Sequence, residues 1–265
     1  YGIFIQESSG VFTKNNSLWE PANDMPFAIE FQDLNQDGID EIIVASYGGR
    51  HNGVNFWNSD LNRIEIYYYN SNSNKFELEF RSEQNPAYGE NGAFATSIRS
   101  SDFNNDGLID ISIAREGYPG GSFEIYLNNG DGSFELTFTK LFQENELRFR
   151  EFLVMDANND GIQDIVLRTN GGSLFWPDAI NPGQYFIDEK KINLNHSIWL
   201  GNGDGTFNSY QAKDLTFESF LNPFCLNPFM RDGKLCFFGP SAGNYPETDG
   251  FARHSVVEIE IDLTN

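Results

Sequence analysis

Asp33-Leu34-Asn35-Gln36-Asp37-Gly38-Ile39-Asp40-Glu41-Ile42-Ile43-Val44 recurs with few changes as Asp102-Phe103-Asn104-Asn105-Asp106-Gly107-Leu108-Ile109-Asp110-Ile111-Ser112-Ile113 and as Asp156-Ala157-Asn158-Asn159-Asp160-Gly161-Ile162-Gln163-Asp164-Ile165-Val166-Leu167. Each copy reads as a loop built for a hard cation that runs directly into a strand. Such an ion takes six to eight oxygens at about 2.3–2.6 Å, from carboxylates and backbone carbonyls together. Positions one, three and five are Asp33, Asn35 and Asp37; Asp102, Asn104 and Asp106; Asp156, Asn158 and Asp160. Glycine at position six permits the sharp turn. Position seven (Ile39, Leu108, Ile162) is apolar and can offer only its carbonyl, and position nine (Glu41, Asp110, Asp164) is acidic and is expected to close the cage.

An EF-hand opens the same way, but it needs a bidentate Glu at position twelve and a helix on each side. Here position twelve is Val44, Ile113 or Leu167, within β-branched, apolar runs that read as buried strands. A plain polar turn would use the same residue types. Three copies in one strand context favour the cation, and the expected cofactor is Ca²⁺ at three sites.

The repetition extends past the loops. Each is followed by a second signature, an apolar strand ending in an Asn/Gly turn and an aromatic: Ile64 to Phe76, Phe123 to Phe134, and Ser197 to Phe207. These are hairpins, and a worn copy opens the chain at Gly2 to Phe12. The unit is strand, loop, strand, long connection, strand, turn, strand. Its spacing lies just above the ~20–50-residue period of repeat architectures, and a repeated four-stranded antiparallel unit is a propeller blade.

The motif Asp-x-Asn-x-Asp-Gly-x-x-Asp, with the Leu-x-Asn-Gly-Asp-Gly-x-Phe hairpin, resembles the FG-GAP/VCBS repeats of integrin α-subunit propellers and of many secreted bacterial proteins. The resemblance covers roughly residues 1–210. It implies structural calcium on one face of a propeller and ligand on the opposite face. The expected fold is all-β, a single β-propeller domain over 1–265 with repeats at about 26–80, 94–139 and 148–210, a degenerate repeat at 221–262, and N-terminal closing strands at 1–13. Four blades are expected; five, or a fragment of a larger propeller, are the alternatives.

The degenerate unit keeps only Asp232-Gly233 of the cage, so no calcium is expected there. A hairpin in that unit would let Cys225 and Cys236 face each other as a disulfide staple, against the alternative of two buried free thiols.

Composition narrows the function classes. The 265-residue chain is 15% aromatic, carries a formal charge of −22 and has 17 basic residues. That balance argues against nucleic acid and anionic membranes as electrostatic partners. No apolar run is long enough for a membrane span. Calcium sites of extracellular modules bind at roughly 0.1–1 mM, which places the expected setting outside the cytoplasm, secreted or at a cell surface.

Gly239-Pro240-Ser241-Ala242-Gly243 with Asp249 and His254 mimics a hydrolase triad, but a turn-rich stretch follows where that motif needs a helix. The connections between second and third strands instead offer Arg50, His51 and Trp57, Arg115 and Tyr118, and Arg168 and Trp176 as candidate ligand contacts. The bland alternative is that the arginines pair with surplus acids. A module binding glycan or extracellular protein is the first reading. The second is a polysaccharide-degrading enzyme, with Tyr or His as base and Arg neutralising a uronate.

Overall fold

The computed structural model describes residues 3–20, 26–46, 63–83, 93–117, 122–141, 148–170, 198–209, 227–241 and 255–261. Among them the fold is all strand and turn. The first repeat forms β3 (Pro26–Gln32), β4 (Glu41–Ser46), β5 (Ile64–Asn70) and β6 (Lys75–Arg81). The second forms β7 (Ala93–Ser101), β8 (Asp110–Gly117), β9 (Ser122–Asn128) and β10 (Phe134–Leu141). The third forms β11 (Arg148–Met155), β12 (Asp164–Asn170), β13 (Ile198–Gly201) and β14 (Phe207–Ser209). Each is a four-stranded antiparallel meander with its strands in chain order. Before them lies a hairpin, β1 (Ile3–Gln6) with β2 (Phe12–Asn15), and after them a three-stranded sheet of β15 (Asn227–Arg231), β16 (Lys234–Ser241) and β17 (Ser255–Ile261).

The three meanders are equivalent in detail. Each pairing of first with second strand shifts register at Pro26/Ala28, Ala95/Ser97 or Phe149/Glu151, a bulge six residues ahead of each loop. A bulge adds twist, which suits sheets that stack face to face at an angle. They do stack: β3 lies against β7, and β7 against β11. At the first boundary Ala28, Ile43, Ala45, Ile64 and Ile66 pack on Ala95, Ile98, Ile111, Ile113 and Tyr126. Glu30 crosses it to accept the Ser100 N–H at 3.2 Å.

The second boundary is aromatic. Phe123 meets Phe152 at 5.0 Å and Trp199 at 5.4 Å between ring centroids, both edge to face. Phe207 and Phe138 complete the cluster, with Phe207 5.9 Å from Phe103 of the second loop. The middle strands read as continuous apolar runs because neighbours cover both of their faces.

The outer flank of the first meander differs. Its β4 and β5 residues Ile42, Val44 and Tyr67 are covered by Trp19, with Ile3 from β1 packed on the same cluster. The hairpin β1–β2 thus sits beside the first meander, and Phe76 donates its N–H to the Leu18 carbonyl. Pairing of β1 with the last sheet, expected from the sequence, does not occur among the described residues.

The degenerate repeat also departs from expectation. Asp232 and Gly233, both left-handed at φ 52° and 75°, make a two-residue turn joining β15 to β16, the geometry that favours Asp-Gly. That turn sets Phe229 opposite Cys236. Cys236 is a buried free thiol rather than half of the expected disulfide, and Cys225 lies outside the described residues.

Phe123 anchors the aromatic boundary, so Phe123→Ala is expected to cost about 3–5 kcal/mol, read as a lower urea midpoint at unchanged m-value.

Candidate cation loops

All three loops adopt one conformation. Position four is left-handed (Gln36, Asn105 and Asn159, φ 59–63°), as is the glycine at position six (φ 86–88°). Asn and Gly accept that region most readily. In every loop the position-six amide donates to the first aspartate at 2.9 Å. The position-seven amide donates to the fifth-position carboxylate at 2.8 Å, and the position-five amide donates to the position-three amide oxygen. These bonds hold the side-chain oxygens of positions one, three and five in place. A carboxylate has about four lone-pair sites, so these bonds leave acceptor capacity on the loop aspartates. An oxygen-only donor set of two carboxylates, an amide and a carbonyl fits a hard cation.

Position nine behaves differently. Glu41, Asp110 and Asp164 lie beneath the loop at 0–1% exposure. Each accepts the N–H of position two, Leu34 at 2.6 Å, Phe103 at 2.8 Å and Ala157 at 2.8 Å. The second oxygen of Asp110 takes the Asn128 N–H at 2.9 Å, and that of Asp164 the Gly201 N–H at 2.8 Å. In loops two and three position nine therefore ties the start of its loop to the end of the third strand. Among the described residues no three Asp, Glu, His or Cys side chains gather as a metal-holding group.

Burial pushes the Glu41 carboxyl up to about 7, with Asp37 and Asp33 adding to the rise and the Leu34 N–H opposing it. Asp110 is pushed up to about 6, first by burial, and Asp164 is raised for the same reason. Each loop thus gathers negative charge over an acid that is poorly solvated.

Sequence reasoning missed the contacts between loops and neighbouring blades. Gln36 Nε2 donates to the Gly107 carbonyl at 2.8 Å, and Asn128 Nδ2 to the Leu34 carbonyl at 3.2 Å. Gly205 donates its N–H to the Phe103 carbonyl at 3.1 Å. Within the third repeat, a Cβ on Gly201 would fall 2.3 Å from the Gln163 carbonyl oxygen. The Asn and Gly letters of the hairpin motif were the available signal, and they read only as turn residues.

Of the candidate ligand contacts, Arg115 lies within β8 and is fully buried, with Nε 3.1 Å from Glu124. Tyr126 donates its hydroxyl to the same Glu124. Arg168 lies within β12, and its side chain is outside the described residues, as are Arg50, His51, Trp57, Tyr118 and Trp176.

Residues 102–167, from the start of the second loop to the strand after the third, match the model of the FG-GAP-like repeat. The chain carries an FG-GAP-like repeat. The phosphatidylinositol-glycan-specific phospholipase D of Bos taurus is 22% identical to it over 209 residues, 71% of this chain and 24% of that protein. The chain thus spans about a quarter of the length of this curated relative. The FG-GAP-like match is phased on the loops, its two ends bracketing one blade boundary.

The raised acids set a pH dependence. Between the ordinary carboxylate value and the raised one, the folded chain binds more protons than the unfolded chain, so metal-free stability falls as pH rises. In chelator, Tm is expected to be higher at pH 5.5 than at pH 7.5, and Glu41→Gln is expected to flatten that slope. Glu77, Asp131 and Asp204, held low by their own hydrogen bonds, titrate below this window. A wild-type Tm that climbs from pH 5.5 to 7.5 would contradict the assignment.

Proposed function

We propose that this chain is a calcium-stabilised β-propeller module of a secreted or cell-surface protein, and that it binds a glycan or an extracellular protein. The observation that carries the reading is the shared conformation of three loops, each presenting three side-chain oxygens above a buried acid. Calcium bound there neutralises charge that the fold otherwise concentrates. At free Ca²⁺ of about 10 to 100 times Kd each site adds about 1.4–2.7 kcal/mol by linkage. Three sites rival the ~5–15 kcal/mol of a typical domain.

In this reading ligand and metal lie at opposite ends of the meander. The loops join first to second strands and the Asn/Gly turns join third to fourth, both at one end. Residues 47–63, 118–121 and 171–197 join second to third strands at the other. Those connections carry Arg50, His51, Trp57, Tyr118 and Trp176, side chains suited to stacking on a sugar ring or contacting a carboxylate.

Ring closure has its own support. Ile29 and Phe31 pair in register with Val44 and Ile42, so the four share the outer flank of the first blade. Ile29 is 40% exposed and Phe31 53%, and the adjacent Phe27 is 55% exposed. The equivalents of Ile29 in the next two blades, Ile98 and Phe152, are buried by the preceding blade. A further blade seated on Phe27, Ile29 and Phe31 completes the pattern, and the sheet β15–β16–β17 is the occupant proposed.

Thermal unfolding in Ca²⁺ and then in excess chelator tests the calcium reading. A fall of about ten degrees or more, restored by Ca²⁺ and not by equal ionic strength, is expected; an unchanged Tm refutes it. Phe31→Asp tests closure. A loss of at least about 2 kcal/mol is expected from a covered face, whereas an exposed one would tolerate the charge.

A further inference from the structure

The hydrogen bonds around Asn128 join loops that the sequence shows only as separate repeats. Leu34, at position two of the first loop, donates its N–H to Glu41 and accepts Asn128 Nδ2 on its carbonyl. Asn128 ends β9 of the next blade and is 6% exposed. Its amide nitrogen also reaches the Ile109 carbonyl at 3.1 Å, its Oδ1 takes the Gly130 N–H at 2.9 Å, and its own N–H goes to Asp110. A continuous path therefore runs Glu41, Leu34, Asn128, Asp110, linking the buried acids of loops one and two. Gln36 adds a parallel, exposed link to Gly107 at position six of loop two.

The contact of the third blade with loop two is made differently. The residue that donates its N–H to Asp164 as Asn128 does to Asp110 is Gly201, which has no side chain to send across. There the link is the main-chain N–H of Gly205, which no side-chain truncation can remove. Of the two boundaries among the described residues, the first depends on an amide side chain at this place, so it can be cut by mutation.

We propose that Asn128 makes the first two loops a coupled pair, so that filling one with Ca²⁺ raises the affinity of the other. The proposal rests on the calcium reading above. An ion in loop one fixes the peptide at position two, and with it the carbonyl that positions Asn128. Asn128 in turn holds Asp110 and the Ile109 carbonyl of loop two. Ordering already achieved at one site need not be repeated at the second, which is positive coupling without a large conformational change. Repulsion between the two ions opposes this, and 0.15 M salt weakens it. Asn128 is a positioning residue, acting on the loops from behind.

The test is a Ca²⁺ titration at 0.15 M NaCl, followed by the amide resonances of Gly38, Gly107 and Gly161, one for each loop. Asp37→Ala disables loop one. It is expected to raise the Gly107 midpoint about five-fold or more, and by less than about two-fold when Asn128→Ala is also present. If Asn128→Ala does not fold, Gln36→Ala at its exposed position serves as the second variant, and it should reduce the coupling part-way. A Gly107 midpoint unmoved by Asp37→Ala overturns the coupling alone, as does a shift of the same size in every background. Absence of any Ca²⁺-dependent shift at the three glycines of the wild type overturns the calcium reading, and the coupling with it.

Discussion

The structure depends on a carboxylate that is buried where its loop meets its blade. Glu41, Asp110 and Asp164 sit under their loops and accept the N–H of position two, while Asp110 and Asp164 also hold the end of the third strand. Hydrogen bonds from backbone amides favour the charged form, and burial disfavours it. Burial dominates here, since Glu41 and Asp110 are pushed up to about 7 and about 6. The fold thus keeps a loop geometry whose electrostatics are unfavourable without a counter-charge. A cation over the loop would relieve that imbalance and strengthen the same hydrogen bonds.

Blade stacking follows from this arrangement. Position two of each loop is buried, as Leu34, Phe103 and Ala157, because its N–H is drawn down to the acid. Its carbonyl is left to the next blade, and Asn128 and Gly205 take that role at the first and second boundaries. Phe103 also places its ring against Phe207, so the polar contact and the aromatic cluster share a residue. Loop conformation and packing between blades are therefore parts of one interface, and a change at a loop is felt beyond its own repeat.

Much of this was legible in the sequence. The apolar runs after each loop and the Asn/Gly hairpins placed the twelve strands of the three meanders, because strand period and turn chemistry are local properties. Orientation was harder to read. Position nine was expected to close the cage; its bond to a backbone amide seven residues upstream is a contact that the spacing of acids does not reveal. Arg115 was expected on a connecting loop. It lies in β8, which continues to Gly117, and Glu124 on the next strand accepts from its Nε. Cys236 faces Phe229 because a two-residue turn sets the register, which spacing between cysteines does not reveal. Contacts across blades, such as those of Asn128, Gln36 and Gly205, leave no periodic trace.

Anomalous diffraction from crystals grown in Ca²⁺ tests the central claim most directly. An anomalous peak is expected in each of the loops 33–41, 102–110 and 156–164, with oxygens of positions one, three, five and seven around it and the position-nine acid beneath. Loops of this same conformation without a peak, at a Ca²⁺ concentration well above 1 mM, would contradict it.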